Sequence, residues 1–522
     1  MSALDVAAAR RGVLVVASAA LHALALPPWD AWPLVWVALV PLFLALRGAT
    51  VRGGCAIGFA WGVAAIWAIA YWVPPAIAAY YDQPLWAGLL LAMLSAIVVL
   101  GLPMAVYGAW AAAVLPRCSP TGRCLAAAAM WVAVELVRAR APFGNPWLLF
   151  GYALLPYPAL SQAADVGGVF LLSFACVLAN AAIAELVGAL AAGGAARTAA
   201  WWPTASAAAV LAVAALHGRA RLATADAPHG DPVAVSVVQA NVDPSAHWRT
   251  EDYGRDLDRY LRLSGAASGH PRLLVWPESA LTFFVDREPA YRSAIAETLR
   301  AALDGDLLTG GPHAVESAGR PASYFNSAFH LGPDGEVRAR YDKERLLPFG
   351  EYFPWPSLDF LRRRFGHVRE FTPGVETHPL ETPAGKLGVA ICFEAILPGV
   401  VRDRVREGAE VLVNLSNDAW LGAGAGPAQH FAMARLRAIE HHRWLVRAAP
   451  TGISAFVDPA GRIVRQTRPQ AEAVLDGTVS PSRDTTFYGE HGDLFAWGCV
   501  AAAGAATLAA LRRAQPPRVA SE

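Results

Sequence analysis

Glu278, Lys343 and Cys392 lie far apart in the chain, yet together they form a chemical set. A carboxylate can take a proton, an ammonium can hold an oxyanion, and a thiol can attack an acyl carbon. Glu278 follows an apolar run and a proline in LLVWPES, and Cys392 follows another apolar run in LGVAICFEA. Lys343 stands in RYDKERLLPFGEYFPW and is one of two lysines among 522 residues. Taken singly, each has an ordinary reading too. A lone cysteine in an apolar run is more often packing, a glutamate at a strand end also caps helices, and DKER reads as a solvated charge run. The scarcity of lysine weighs the other way: a chain that uses arginine nearly everywhere keeps a lysine where a compact point charge is needed. The other lysine, Lys386, lies in the hairpin-like Pro-Ala-Gly-Lys and reads as surface.

The elements around these residues are strands that end on them. Strands are expected at 232–239, 272–276, 306–310, 324–331, 387–391, 410–414, 445–449 and 453–457, and helices at 251–265, 288–303, 397–408 and 427–443. This alternation predicts an α/β layered domain with mostly buried sheets. Cys392 then falls at a strand-to-helix turn, where helix amides are expected to lower its pKa and to offer oxyanion donors. Glu351 and Glu394 stand beside the motifs; either can bond the lysine or hold the loop. VLVNLSNDAWLG (411–422) is a strand and a polar turn with Asn414, Asn417, Asp418 and Trp420, suited to a pocket wall or to a plain turn. The stretch 348–376 fits neither period and is rich in Phe, Pro and Trp, including Phe349, Phe353, Trp355, Phe360, Phe365 and Phe371. A loop of that length is functional or disordered.

The rest of the chain is apolar. Hydrophobic residues make up 55% and charged residues 16%, and only six of the 42 acidic residues precede position 221. Eight stretches are long and apolar enough to be read as membrane spans: 11–27, 31–47, 54–76, 84–114, 123–138, 167–192, 200–217 and 494–512. The expected organisation is a transmembrane domain at 1–220, a catalytic domain at 225–490, an eighth helix at 494–512 and a tail at 513–522. With the N-terminus in the cytoplasm, ten arginines (Arg10, Arg11, Arg47, Arg52, Arg117, Arg123, Arg197, Arg512, Arg513 and Arg518) face the cytoplasm and two, Arg138 and Arg140, face outward. Residues 220–490 are then outside. Glu135, within the fifth span, is expected to pair with Arg138. Cys392 is the one cysteine of the outside segment, so it has no disulfide partner there, and no C-x-x-C pair suggests zinc. A net charge of +1 gives no reason to expect nucleic acid as a partner.

The motifs WPES, YDKERLLPFGEYFP, ICFE, NLSNDAWLG and QHFAMARLRAIEHHRWLVRAAPTGISAFVDPAGRI resemble the nitrilase, or carbon–nitrogen hydrolase, superfamily. With eight spans and the domain inserted before the last, the chain resembles the bacterial apolipoprotein N-acyltransferase family. The resemblance implies an αββα sandwich in the periplasm on a multi-pass domain of the inner membrane, with both termini cytoplasmic. It implies Glu278 as base, Lys343 as oxyanion stabiliser and Cys392 as nucleophile, with Glu351, Glu394, Trp248, Phe393 and Trp420 in support. Phe393 stands where a tyrosine is common in the family, and Ala449-Pro450-Thr451 also departs from its pattern. The implied reaction passes an acyl chain from a phospholipid, through a thioester, to the amine of a diacylated apolipoprotein. A monomer without metal or other cofactor suffices for it. Two rivals carry other consequences. A membrane-anchored amidase for a small soluble substrate needs one anchor rather than eight spans. A transporter or scaffold needs no complete triad.

Overall fold

The computed structural model describes residues 3–141, 145–192, 201–225, 230–242, 253–268, 270–302, 305–316, 322–353 and 370–514. The expectations for Trp248, Trp355, Phe360 and Phe365 lie outside them. The chain forms two compact units. One comprises Met1–Pro74, Leu85–Ala223 and His491–Glu522; the other comprises Pro75–Pro84 and Thr224–Glu490.

The first unit is helical. Six helices among the described residues are long and apolar enough to cross a bilayer: Val6–Leu24, Val51–Ile69, Leu85–Arg117, Pro120–Arg140, Ala164–Ala192 and Leu494–Arg513. The other two of the eight expected spans differ for physical reasons. Residues 32–46 divide into a 3₁₀ turn, Trp32–Trp36, and a short helix, Val40–Leu46. Pro33 and Pro41 sit near the start of each piece, where a proline is tolerated because the amide it lacks would have no partner in the helix. Trp201–Thr224 is a single 24-residue helix. Its second half carries Arg219 as well as His217 and Arg221, which both bond Asp165, and it is not among the six. In Leu85–Arg117 the side chains of Leu90, Leu94, Val98 and Leu102 all stand exposed and form one apolar stripe. Val51–Ile69 packs on the second half of that helix through small residues; a Cβ on Gly58 would lie 1.9 Å from the Met104 carbonyl oxygen.

Glu135 and Arg138 are not paired with each other, contrary to the expectation from their spacing. Glu135 Oε1 accepts from Trp131 Nε1 (3.0 Å) and from the Phe150 amide (2.9 Å). Arg138 donates to the carbonyls of Trp147 (3.2 Å) and Asn145 (3.4 Å). Non-helical backbone needs partners where water is scarce, and these two side chains supply them.

The second unit holds twelve strands among the described residues. These are β1 (Val233–Gln239), β2 (Leu273–Val275), β3 (Asp306–Val315), β4 (Ser323–Leu331), β5 (Val337–Asp342) and β6 (Leu380–Thr382), then β7 (Gly385–Ile391), β8 (Val411–Leu415), β9 (Leu445–Ala448), β10 (Ala455–Val457), β11 (Ile463–Gln466) and β12 (Ala473–Val479). They form two six-stranded sheets, ordered β12-β1-β2-β3-β4-β5 and β11-β10-β9-β8-β7-β6. Strands β1, β2 and β3 run parallel, as do β7, β8 and β9, and the outer pairings are antiparallel. Alternation along each strand explains the layers. Leu273 and Val275 meet Leu387, Val389 and Ile391 in the core between the sheets. Leu274 and Trp276 point the other way and are covered by helices Tyr253–Ser264 and Pro289–Ala302. Ala390 and Leu412 are covered by helices Pro398–Arg406 and Ala425–His441 on the far side. The order is helix, sheet, sheet, helix.

Candidate active site

Both parallel strand groups deliver reactive side chains at their C-terminal ends, where α/β sheets place ligands. Strand β2 leaves through Trp276-Pro277 to Glu278. Gly310 donates its amide to the Pro277 carbonyl (3.1 Å), and a Cβ there would come within 2.6 Å of the Glu278 Cα. Only glycine permits that approach, and it fixes the carboxylate's backbone. Strand β7 ends on Cys392, whose φ of 51° is left-handed. A non-glycine residue pays on the order of 1–3 kcal/mol for such a conformation, which the surroundings must hold. Lys343 follows β5, with its amide on the Asn326 carbonyl (2.8 Å) and its carbonyl accepting from Gly374 (2.8 Å).

These three residues meet in one buried site, with Lys343 1%, Cys392 4% and Glu278 6% exposed. Lys343 Nζ donates to Glu351 Oε1 (2.9 Å) and lies 3.8 Å from Glu278 Oε1. Asn326 Nδ2 bridges the two acids at 2.8 Å from each. Glu351 Oε2 accepts from the Leu347 amide (2.7 Å), while Glu278 Oε2 is buried with no nitrogen or oxygen donor on it. The Cys392 thiol lies within hydrogen-bonding reach of this carboxylate, the one expected to take its proton.

Glu351 and Glu394 divide the two roles left open by the sequence. Glu351 bonds the lysine. Glu394 holds the loops: its Oε1 accepts from Tyr341 OH (2.7 Å) and from the amides of Glu344 and Arg345 (2.9 Å each), and its Oε2 from the Ile391 amide (2.8 Å). It thereby ties the turn after Lys343 to the turn that carries Cys392. Phe393 is half-buried beside the thiol in sequence, and Trp420 is half-buried in the turn Ala419–Leu421. Among the described residues no group of three or more His, Cys, Asp and Glu side chains is arranged to hold a metal ion.

The electrostatics follow from burial. Burial raises the Cys392 thiol pKa and the nearby Glu278 carboxylate raises it further, against the pull of Lys343. This reverses the expectation that helix amides would lower it: the helix after Cys392 is a five-residue 3₁₀ turn, too short to offset full desolvation. Burial also raises Glu278, with Lys343 opposing. For Lys343 itself burial lowers the pKa, but the carboxylates Glu351 and Glu278 outweigh it and hold the ammonium above its ordinary range. The resting site therefore keeps its thiol protonated, beside a carboxyl with proton affinity and a permanent cation. Such a site makes a thiolate when a proton moves to Glu278.

Residues 234–486 match the carbon-nitrogen hydrolase family, and residues 18–182 match the apolipoprotein N-acyltransferase N-terminal domain. Over 507 residues the chain is 37% identical to the apolipoprotein N-acyltransferase of Geobacter metallireducens, covering 96% of this chain and 94% of that one. The chain belongs to the apolipoprotein N-acyltransferase family. The relatives from Agrobacterium fabrum and Pseudomonas aeruginosa are each 32% identical, over 93% and 91% of both chains. In this family member the two sheets contribute the reactive groups jointly, Glu278 and Lys343 from one and Cys392 from the other.

Sequence reasoning missed the residues that hold this set. Asn326 had one signal: an asparagine is unusual inside a strand such as SYFNSAFHL. His430 donates from Nε2 to the Cys392 carbonyl (3.2 Å) and faces Asp418 Oδ1 through Nδ1 (2.9 Å). Asp418 Oδ2 accepts from Arg447 (2.7 Å), and Arg447 also bonds Asn414. Burial opposes ionisation of Asp418, but Arg447 and His430 outweigh it and hold its pKa well below the carboxylate norm. Asn414 and Asp418 thus belong to a buried brace behind the cysteine.

Proposed function

We propose that the protein transfers a fatty acyl chain from a membrane phospholipid to the α-amine of a lipoprotein's diacylglyceryl-cysteine, by a two-step reaction through Cys392. Glu278 takes the thiol proton. The thiolate attacks the ester carbon, and Lys343 with backbone amide near Phe393 holds the oxyanion. The intermediate collapses, the alkoxide of the lysophospholipid leaves with the proton from Glu278, and an acyl thioester remains. The amine then attacks the thioester, Glu278 takes its proton, and the thiolate leaves as the amide forms and is reprotonated. Glu351 keeps the ammonium in place, and Glu394 keeps the two loops in register. Thioester to amide is strongly downhill and draws the first step forward.

The observation that carries this reading is the convergence of Glu278, Lys343 and Cys392 in one buried site of a chain that is otherwise built for a bilayer. Both substrates are anchored by acyl chains, and spanning helices raise the local concentration of both. Pro75–Pro84 packs with Thr224–Glu490, so both lie on one side of the bilayer. That requires 32–46 and 201–224 to cross together with the five long helices that precede the second unit, so that an odd number of crossings precedes each segment. Residues 224–490 then come out opposite the N-terminus, and the arginine bias supports a periplasmic catalytic unit and cytoplasmic termini in a bacterial inner membrane. We take the working unit to be a monomer. The aromatic stretch 348–376 serves as a lid that keeps water from the thioester.

Intact mass of the enzyme trapped after incubation with phospholipid tests the reading. A fatty acyl adduct on Cys392, released by a diacylated lipopeptide, is expected. A small acyl adduct from a soluble amide, with none from lipid, would replace the proposal with an amidase.

A further inference from the structure

The segment joining two of the membrane helices belongs to the catalytic unit. Pro75–Pro84 lies in the chain between Val51–Ile69 and Leu85–Arg117, yet it packs with Thr224–Glu490. It carries two adjacent tyrosines at the end of the helix Val73–Tyr80. That end is well built. Asp82 takes a left-handed φ of 50°, and the Gln83 amide returns to the Ala78 carbonyl (2.8 Å). The rings of Tyr80 and Tyr81 meet edge to face at 5.0 Å.

Their hydroxyls reach two successive carbonyls of one turn. Tyr80 donates to Gly350 (3.2 Å) and Tyr81 to Phe349 (2.6 Å). This turn carries Glu351, the acid that grips Lys343. Phe349 is left-handed at φ 65°, an uncommon state for an aromatic residue that needs external support. Within the turn, the Glu351 amide bonds the Leu347 carbonyl (2.9 Å) and the Phe349 amide bonds the Tyr352 carbonyl (2.7 Å). The Tyr80 phenol is pushed up to about 12 by burial and then by the Glu351 and Glu278 carboxylates, as its place beside the acids requires.

We propose that Tyr80 and Tyr81 are positioning residues for the reaction: they hold the Glu351 turn, and through it the Lys343 ammonium, from the connection between two membrane helices. This rests on the role given to Lys343 above. The hydroxyls donate to backbone, so neither tyrosine serves as a proton donor to substrate in this arrangement.

The test uses the full chain in lipid–detergent micelles. Tyr80→Phe, Tyr81→Phe and the double variant keep the rings and lose only the hydroxyls. Two quantities are read: kcat and KM for N-acylation of a diacylated lipopeptide, and the rate at which iodoacetamide alkylates Cys392, followed by peptide mass. Each is repeated in a Glu351→Gln background. The double variant should lose about tenfold in kcat with KM little changed, and alkylation should slow in step, because a displaced ammonium supports the thiolate less well. With Glu351→Gln already present, the tyrosine changes should cost nothing further. Equal losses in both backgrounds, a loss confined to KM, or unaltered alkylation would overturn the proposal. If the double variant does not purify, the single variants carry the same criteria with about a threefold effect each. A wild type that alkylates in this coupled way but acylates no lipopeptide would leave the positioning intact and remove the proposed function instead.

Discussion

Replacing Lys343 with methionine keeps the length of the side chain and removes its charge. The ammonium lies 2.9 Å from Glu351 Oε1 and 3.8 Å from Glu278 Oε1, and one amide, Asn326 Nδ2, touches both acids. Without the cation, two carboxylates share a dry site, and one must take up a proton. For a carboxyl of ordinary pKa 4.5, protonation at pH 7 costs about 3.4 kcal/mol, which is 2.5 pH units at 1.36 kcal/mol each. That figure is a ceiling, because Glu278 is already raised in the native protein. It lies at the lower end of the roughly 3–5 kcal/mol known for broken buried pairs. The sign of the pH dependence is fixed. Between pH 4.5 and the raised pKa, the folded variant holds a proton that the unfolded chain has lost, so its stability falls as pH rises. The deficit against wild type should be largest near pH 7, shrink by up to about 1.4 kcal/mol per unit on acidification, and vanish near pH 4.5. At about 2–4 °C per kcal/mol, this is a Tm deficit of up to roughly 14 °C at neutral pH. N-acylation should fall by about 10²–10³ in kcat, the cost of one oxyanion donor. Thermal unfolding in detergent at pH 5, 6 and 7, with initial rates at each pH, reads both effects. Lys343→Arg should be nearly as inactive, since a planar fork cannot occupy the same point. Lys386→Met is the control: its partner Glu381 is 3.2 Å away, but the side chains are 45% and 80% exposed, and such a pair contributes about 0–1 kcal/mol. A Lys343→Met protein whose Tm deficit is the same at pH 5 and pH 7, or whose rate stays within threefold of wild type, refutes this reasoning.

Three further outcomes follow from the same site. Cys392→Ala should abolish both thioester and product while the protein still purifies and unfolds cooperatively; any full-rate acylation by it ends the covalent mechanism. Glu278→Gln should lower the rate by about 10²–10⁴ and flatten the acid limb of the pH profile. In wild type that limb should rise with pH through a pKa above 4.5, since the base must be ionised and burial raises it; an unchanged limb in Glu278→Gln would reassign the base. Phe353→Asp should impair reaction with phospholipid more than with a water-soluble short-chain ester, because Phe353 meets the exposed Phe349 edge to face at 6.0 Å in the aromatic stretch. Equal loss on both substrates points to folding.

The sequence alone was enough for everything that depends on a continuous apolar run. The eight expected strands and the six long apolar helices were legible as largely apolar runs, and the four expected helices of the second unit by the helical period of their apolar residues. The turns bearing Glu278 and Cys392 were legible for the same reason, since each ends such a run. The four strands that escaped, β5, β6, β11 and β12, are the outermost strands of the two sheets. An edge strand pairs on one side only and is short or polar: β11 is exposed along its whole length, and β5 alternates Val-Arg-Ala-Arg-Tyr-Asp. Their membership is decided by the neighbour they pair with, which local sequence does not contain.

Tertiary structure alone decided how the reactive groups are held. Glu351 and Glu394 look alike in the sequence, and only the fold assigns one to the ammonium and the other to four donors at the ends of β5 and β7 and in the turn after Lys343. Asn326, His430, Tyr80 and Tyr81 carry no spacing signal toward residues 25 to 270 positions away, because their partners are set by sheet register and loop approach. The direction of the Cys392 pKa was likewise decided by packing. A strand-to-helix turn favours a thiolate when its amides are exposed to a long helix and solvent; here full burial beside a carboxylate outweighs them, and the thiol waits for its base.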